Sequence, residues 1–182
     1  MKGIIFNLLE RAVSAEYGDE TWDTLLDDAG SIGTYTAVGN YPDEELMALV
    51  GAATQRLGLS SDELIRWFGR RAIPMLEERY PAFFEAHRTT RDFLLTLNDV
   101  IHPEVRKLFP GAYAPSFEFD TSREDALGLT YESHRNLCSF AEGLIEGSAE
   151  RFGDTVTIEQ PRCTKRGDDV CLLHVTFGNG AH

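Results

Sequence analysis

Tyr131, Ser133 and Arg135 alternate along the chain, and their side chains could bind an anion together. Alternate residues of an extended chain point to the same side, so two hydroxyl groups and a guanidinium would share one face. Such donors suit a ligand that carries carboxylates, because a guanidinium can bind a carboxylate bidentately. The alternative is an ordinary solvated strand face on which Arg135 pairs with a surface carboxylate.

His102 lies between an apolar helical stretch and Pro103. Proline is favoured at the first position of a helix, so His102 could simply be a polar residue at a helix start. Alternatively, its imidazole is the axial ligand of a cofactor with its own equatorial ligands, such as haem, because no second ligand lies nearby in sequence. The sequence has no Cys-x-x-Cys-His motif, so such a haem would be bound non-covalently.

Three cysteines form a second candidate cluster. Cys163 and Cys171 are equally far from Gly167 in sequence, so in a regular hairpin they would face each other or nearly so. Cys138 lies on the helix that precedes them.

The composition is that of an acidic globular protein. A formal net charge of −13 argues against nucleic acid and anionic membranes as partners, since both require basic patches. No stretch approaches the roughly 18 apolar residues of a transmembrane helix, and Asn7, Glu10 and Arg11 interrupt the first apolar run too early for a signal peptide. An odd number of cysteines favours a reducing environment, so we expect a cytoplasmic protein.

Apolar residues recur at the helical period as far as Ile101. Asp43 is expected to cap the third helix, and Ser60 with Glu63 to cap the fourth. Pro74 should kink the fourth helix or split it in two. The predicted helices span residues 2–17, 20–28, 43–57, a stretch from residue 61 with a buried face ending at Leu76, and 90–101.

After Pro110 the pattern changes to the alternation that is typical of strands. We predict an α+β fold in a single domain, residues 1–182, with a helical N-terminal subdomain up to about residue 65. In the C-terminal subdomain, from about residue 66, a four-stranded antiparallel sheet holds a long helix against one face. The strands are expected at residues 115–119, 127–133, 155–159 and 170–177, the long helix at 135–152, and a frayed tail at 178–182.

Taken together, these motifs resemble the H-NOX family, the haem nitric oxide/oxygen binding domains related to the sensory domain of soluble guanylate cyclase. The resemblance covers essentially the whole chain, with the motifs in the same order and at the same separations. It rests on Met1-Lys2-Gly3-Ile4-Ile5, the His102 segment, Pro115-Ser116-Phe117, Tyr131-x-Ser133-x-Arg135 and Gly143-Leu144-Ile145-Glu146-Gly147.

The resemblance implies a role for each site residue. His102 would be the proximal ligand of the haem iron, and Tyr131, Ser133 and Arg135 would hold the propionates. Pro115 would press on the porphyrin and distort it. The haem would be buried between the two subdomains, in a pocket lined by Ile5, Leu9, Leu76, Phe140 and Leu144.

The resemblance also predicts which gas binds. Members that bind oxygen stably have a tyrosine whose hydroxyl donates a hydrogen bond to the bound oxygen, whereas Phe140 occupies that position here and has no donor. We therefore expect ferrous haem that binds nitric oxide and carbon monoxide and excludes oxygen. Binding of nitric oxide would weaken or break the bond between iron and His102 and shift the N-terminal lobe.

No nucleophile and base occur in a supporting motif, so we expect a sensor without catalytic activity. The chain ends shortly after the last predicted strand, which leaves no room for an output domain. The signal would then pass in trans, and bacterial stand-alone members of the family typically act on a histidine kinase or a cyclic-di-GMP enzyme.

Some family members hold a structural zinc with three cysteines and one histidine, a pattern that Cys138, Cys163 and Cys171 resemble. Gln160 stands where the histidine is expected, and strand alternation turns His174 away from Cys171. Because zinc normally needs four ligands, a zinc site, a redox-active thiol cluster and inert buried cysteines remain alternatives. A haem-free thiol or zinc redox module is the rival function.

Overall fold

The computed structural model describes residues 1–178 and has the predicted architecture of helices followed by an antiparallel sheet. The remaining residues of the predicted frayed tail, 179–182, lie outside the described part, and Gly178 ends the last strand. The helices are α1 (Gly3–Tyr17), α2 (Asp19–Ala29), α3 (Asp43–Leu57), α4 (Ser61–Arg79), α5 (Ala82–Glu85), α6 (Thr90–Leu95), a π helix (Leu97–Ile101), α7 (His102–Leu108) and α8 (Cys138–Phe152).

The first three helices and the first half of α4 enclose an apolar core that contains Phe6, Leu49 and Phe68. Ser60 caps α4 as predicted: its hydroxyl accepts from the Glu63 backbone N–H, and the Glu63 carboxylate accepts from the Ser60 backbone N–H. The predicted cap at Asp43 is wrong. Pro42 holds the cap position of α3 without a side-chain cap bond, and the Asp43 carboxylate bonds Arg135 instead.

Pro74 does not split the fourth helix, which runs without interruption from Ser61 to Arg79. A proline at this position cannot donate to the carbonyl of Arg70. Pro74 itself is exposed, while its neighbour Ile73 is buried against α8. The packing on the buried side holds the helix together across the missing hydrogen bond.

The predicted helix at residues 90–101 is two elements. Thr89 caps α6, whose last residue is Leu95, and the chain then widens into the π helix. The Ile101 N–H bonds the Thr96 carbonyl five residues back at 3.0 Å, so the wider turn ends at the residue before His102. Apolar periodicity does not distinguish a π turn from an α turn over so few residues.

Four antiparallel strands form one sheet in the order β1-β2-β4-β3. Alternate residues of the two central strands, among them Leu127, Leu129, Leu173 and Val175, are buried in a second apolar core beneath α8. The predicted face-on packing of a long helix is thus confirmed. The strands are β1 (Ser116–Asp120), β2 (Ala126–Glu132), β3 (Thr155–Arg162) and β4 (Cys171–Gly178).

The start of α8 was predicted at Arg135 but lies at Cys138. Asn136 has a positive φ of 52° and interrupts any helix there. The intervening residues turn the chain sharply between β2 and α8, which places Arg135 at the border between the two apolar cores.

Helices α4 and α8 cross closely and join the two cores. At the crossing, Gly143 lies so near the Arg66 carbonyl that a Cβ at Gly143 would overlap it. The Arg66 guanidinium bonds Glu142 at 2.7 Å and Glu146 at 2.6 Å on the same side of the crossing. Among residues 1–178, no helix has the length and apolar character that a membrane crossing requires.

Candidate functional site

One cavity of about 360 Å³ lies between the two cores. It is bordered by α1, α3, α4, α7 and α8 and by the ends of β1 and β2. All ten predicted pocket residues line this single cavity: Ile5, Leu9, Leu76, His102, Pro115, Tyr131, Ser133, Arg135, Phe140 and Leu144. The structure therefore brings together side chains that are up to 139 positions apart in the sequence.

His102 is the first residue of α7, directly after the π helix, and its side chain faces the cavity. Burial and the nearby charge of Arg106 lower its pKa from 6.5 to about 4, and a backbone contact with Pro115 offsets part of this shift. Its Nδ1 atom is buried and makes no hydrogen bond of good geometry within residues 1–178. The imidazole is therefore neutral at physiological pH, which is the form that can bind a metal.

Tyr131, Ser133 and Arg135 lie at one edge of the cavity. Tyr131 ends the buried face of β2; burial raises the pKa of its hydroxyl, while a hydrogen bond with Ser133 acts in the opposite direction. The Ser133 hydroxyl accepts from the Arg135 backbone N–H at 3.2 Å. The three side chains converge although β2 ends at Glu132 and the rest of the motif is a turn.

Arg135 has a partner that the sequence did not reveal. Its Nε donates to the Asp43 carboxylate at 2.7 Å and its Nη1 to the Tyr113 carbonyl at 3.0 Å. Burial would raise the pKa of Asp43, but hydrogen bonds from Arg135 and the Met1 α-amino group lower it below its usual value. The interaction joins residues 92 positions apart, so no local signal could have indicated it.

The opposite wall of the cavity is apolar. Phe140 packs against Phe68 with ring centroids 5.1 Å apart, and Leu144 follows one turn later on α8. Leu9 on α1 is buried, whereas Ile5 and Leu76 retain partial exposure. Sequence reasoning missed other residues of the lining, notably the aromatic side chains Trp67, Tyr80 and Phe117.

The three cysteines lie together outside the cavity and are all buried. The Sγ atom of Cys163 is 3.8 Å from that of Cys138 and 3.9 Å from that of Cys171. Thr164 donates its backbone N–H to the Cys171 sulfur at 3.4 Å. Within residues 1–178, no histidine or carboxylate joins the three thiols as a fourth ligand, and His174 is exposed as its strand position predicted.

The residues around the cavity fit a haem. A neutral imidazole with a buried Nδ1 faces an apolar slot, and hydroxyl and guanidinium donors lie at one edge. A haem has the same asymmetry, since its macrocycle is apolar and its two propionates are on one edge. An imidazole is a common axial ligand of haem iron.

Comparison with known proteins agrees with this geometry. The model of the haem-NO-binding family matches residues 2–160. A crystal structure of an H-NOX protein from S. oneidensis in the Fe(II)NO ligation state superposes with a TM-score of 0.93 at 31% identity, covering 98% of this chain and all of that one. An NMR structure of an H-NOX domain from Shewanella oneidensis in the Fe(II)CO ligation state gives 0.89 at 31% identity, with 98% and 99% covered.

A crystal structure of an unliganded Fe(II) H-NOX protein variant from K. algicida also matches, with a TM-score of 0.89, 26% identity and coverage of 98% of this chain and 97% of that one. The family match and the structural likeness both extend over nearly the whole chain. The chain therefore belongs to the haem-NO-binding family, the H-NOX proteins.

Proposed function

We propose that this protein is a gas sensor that binds haem b non-covalently in the cavity between its two cores. The observation that carries the proposal is the neutral imidazole of His102, half-buried with a buried Nδ1, which faces the same cavity as Tyr131, Ser133 and Arg135. Family membership supports it, as does the lack of a Cys-x-x-Cys-His motif for covalent attachment.

When bound, the haem would supply a ferrous iron that binds nitric oxide and carbon monoxide, the ligands present in the Shewanella oneidensis structures. The chain's own residues hold and orient the group. His102 offers a neutral nitrogen to the iron, and Tyr131 and Ser133 offer hydroxyl donors to the propionates. Arg135 adds its Nη2 group, which makes no hydrogen bond within residues 1–178, while Asp43 fixes its Nε.

We further propose that the pocket excludes oxygen as a stable ligand. Phe140 has no hydrogen-bond donor, and its ring packs against another apolar ring, that of Phe68. A hydrogen-bond donor at position 140 would stabilise the polarised complex of iron and oxygen most. The complexes of nitric oxide and carbon monoxide are less polar and depend less on such a donor.

The proposed output is regulation of a signalling protein in trans, without catalysis by this chain. By analogy with bacterial stand-alone members of the family, the partner would be a histidine kinase or a cyclic-di-GMP enzyme.

We also propose that the chain divides into two subdomains at about residue 65, with the N-terminal subdomain on the distal side of the haem. The two separate apolar cores support this division, although α4 contributes to both.

The absorption spectrum of the purified protein tests the haem proposal. A Soret band should be present in the wild type, and in His102→Ala it should be lost or shifted because the axial ligand is gone. His174→Ala, which removes an exposed histidine on β4, serves as the matched control and should leave the band unchanged. A colourless wild-type protein, purified from cells with sufficient haem, would refute the proposal.

For the cysteine cluster we propose a role separate from gas binding. The buried thiols of Cys138 and Cys171 both lie within 3.9 Å of that of Cys163. The three could hold zinc if a fourth ligand were supplied, or they could act as a thiol redox module in a reducing compartment. Metal analysis of the wild type and of Cys163→Ser distinguishes these cases. Stoichiometric zinc that is lost in Cys163→Ser supports the metal site, and its absence from both leaves the thiol roles.

A further inference from the structure

On the outer edge of β1, the side chain of Asn98 forms hydrogen bonds with the backbone of Phe117. Among residues 1–178, β1 is an edge strand, and β2 is its one neighbour in the sheet. On its other side, Asn98 Nδ2 donates to the Phe117 carbonyl at 2.5 Å, and the Phe117 backbone N–H donates to Asn98 Oδ1 at 3.2 Å. One carboxamide thus replaces the neighbouring strand that an edge residue lacks. Only this orientation of the amide satisfies both backbone groups.

Asn98 is the second residue of the π helix that leads to His102. The turn is closed by five-residue hydrogen bonds, from Ile101 N–H to the Thr96 carbonyl and from His102 N–H to the Leu97 carbonyl. Single π turns are rare and occur frequently at functional sites. The residue tied to β1 and the residue that faces the cavity therefore belong to one closed turn.

Phe117 also contacts the site residues directly. Its ring centroid lies 6.0 Å from that of His102, with an angle of 28° between the ring planes, and 5.7 Å from that of Tyr131. Phe117 and Tyr131 are also partners in the register of β1 and β2. Fixing the backbone of Phe117 thus fixes a ring that packs between the imidazole and the end of β2.

His102 has few other anchors. Its Nδ1 makes no hydrogen bond of good geometry, and α7 contributes no buried residue, in the part of the chain that the structure describes. On the N-terminal side, Ile101 is buried, but an apolar contact does not fix the rotation of a turn as a pair of directional hydrogen bonds does.

We propose that Asn98 is a positioning residue for His102. By tying the π turn to the edge of β1, its carboxamide sets the place of the imidazole relative to Pro115 and Phe117. The consequence that Asn98 thereby sets the strength of the bond from His102 to the haem iron rests on the proposed function.

Two variants of Asn98 distinguish the contributions of its two hydrogen bonds to Phe117. Asn98→Leu has a similar size and removes both bonds, whereas Asn98→Asp keeps the acceptor for the Phe117 N–H and loses the donor. Glu118→Leu makes the same polar-to-leucine change at an exposed neighbour on β1 and is the matched control. If Asn98→Leu fails to fold, Asn98→Asp tests the proposal by the two measurements described below.

The first measurement is amide hydrogen exchange by NMR in the haem-loaded ferrous carbon monoxide complex. We expect the Phe117 and His102 backbone N–H groups to exchange about tenfold faster in Asn98→Leu and by a smaller factor in Asn98→Asp. Glu118→Leu should exchange as the wild type does. Unchanged exchange at His102 in both Asn98 variants would overturn the proposal.

The second measurement is the iron–histidine stretching band of the ferrous, gas-free protein by resonance Raman spectroscopy. The band should shift to lower wavenumber in Asn98→Leu, shift less in Asn98→Asp, and stay in place in Glu118→Leu. Faster exchange with an unshifted band would show a merely structural role and overturn the proposal. A wild type without any such band would instead refute the proposed function, and amide exchange at His102 in the haem-free protein would then decide whether Asn98 anchors the turn.

Discussion

The surroundings of His102 keep its imidazole neutral at physiological pH. Burial is the main cause of its lowered pKa, and the charge of Arg106 on the same helix adds to the effect. A protonated imidazole would have to give up hydration at this site, so the folded state favours the neutral form.

Acidification should destabilise the haem-free protein through His102. Its pKa is about 4 in the folded state against 6.5 as an ordinary histidine, so between these values the unfolded chain binds more protons. The contribution of His102 to stability is therefore complete above pH 6.5 and is lost as the pH falls towards 4, by up to about 3 kcal/mol.

Urea unfolding of the haem-free protein at pH 7, 5.5 and 4, followed by circular dichroism, measures this contribution. His102→Gln cannot titrate and should lose less stability over the same range. Equal pH dependence in the two proteins would contradict the assignment of a depressed pKa to His102.

A hydroxyl at position 140 should change the choice of gas. In Phe140→Tyr the new donor would lie in the apolar wall, where it can stabilise a polar bound ligand by a hydrogen bond worth about 1–2 kcal/mol. We expect a stable oxy spectrum when the reduced variant is exposed to air, whereas the wild type and the donor-free control Phe140→Leu should give none. A stable oxy spectrum in the wild type would contradict the proposed exclusion of oxygen.

Residues of the site differ in what the sequence reveals about them. The position of His102 before a proline and its distance from the Tyr-x-Ser-x-Arg motif are local patterns, so both were visible in the sequence. The partners Asn98 for Phe117 and Asp43 for Arg135 were not visible, because they lie 19 and 92 positions from the residues they bond. Only the folded chain brings these pairs together.

At the scale of elements, periodicity predicted helices α1 to α4, α6 and α8 and all four strands, because burial on one face imposes a regular pattern. The short helices α5 and α7 were not predicted by periodicity. Errors arose where tertiary contacts override local preference. Pro74 is accommodated since the buried side of α4 packs on α8, and α8 begins late because Asn136 adopts a positive φ. The π helix was not predicted, because one extra residue in a single turn hardly changes the spacing of the apolar residues.

The close crossing of α4 and α8 should depend on Gly143. An alanine there would place its Cβ against the Arg66 carbonyl, which belongs to the backbone and cannot move aside without shifting α4. We expect Gly143→Ala to lower the free energy of unfolding by about 2 kcal/mol. Gly51→Ala on α3 is the matched control, because apart from its chain neighbours and the backbone of its own helix no atom of the described residues lies within 4 Å of the new methyl group.

Chemical denaturation of both variants measures the difference. Gly51→Ala should raise stability by about 0.5–1 kcal/mol through helix propensity alone. If the free energy of unfolding falls in Gly143→Ala and rises in Gly51→Ala, the effect at Gly143 is due to packing. A change of the same sign in both variants would contradict this explanation.

At the scale of the whole molecule, two apolar cores share one cavity at their border and are otherwise joined by α4, α8 and ion pairs. Arg135 with Asp43 and Arg66 with Glu142 and Glu146 connect the helical part to the sheet part. A group that fills the cavity would contact both cores at once. The sequence predicted the two parts and the residues at their border, but the space between them is a property of the packing.

Haem loading should therefore stabilise both parts of the molecule together. A ligand that binds only the folded state, at a concentration about a thousand times its Kd, adds about 4 kcal/mol, which for a chain of this size raises Tm by about 10 °C. Calorimetry of the haem-loaded protein should show one cooperative transition at the higher temperature. Metal-free protoporphyrin can fill the slot and bind the edge donors, but it has no iron for His102 to bind. It should therefore raise Tm less than haem does. In His102→Ala, haem and metal-free protoporphyrin should raise Tm by the same amount. Equal Tm values with and without haem would contradict the placement of the haem between the two cores.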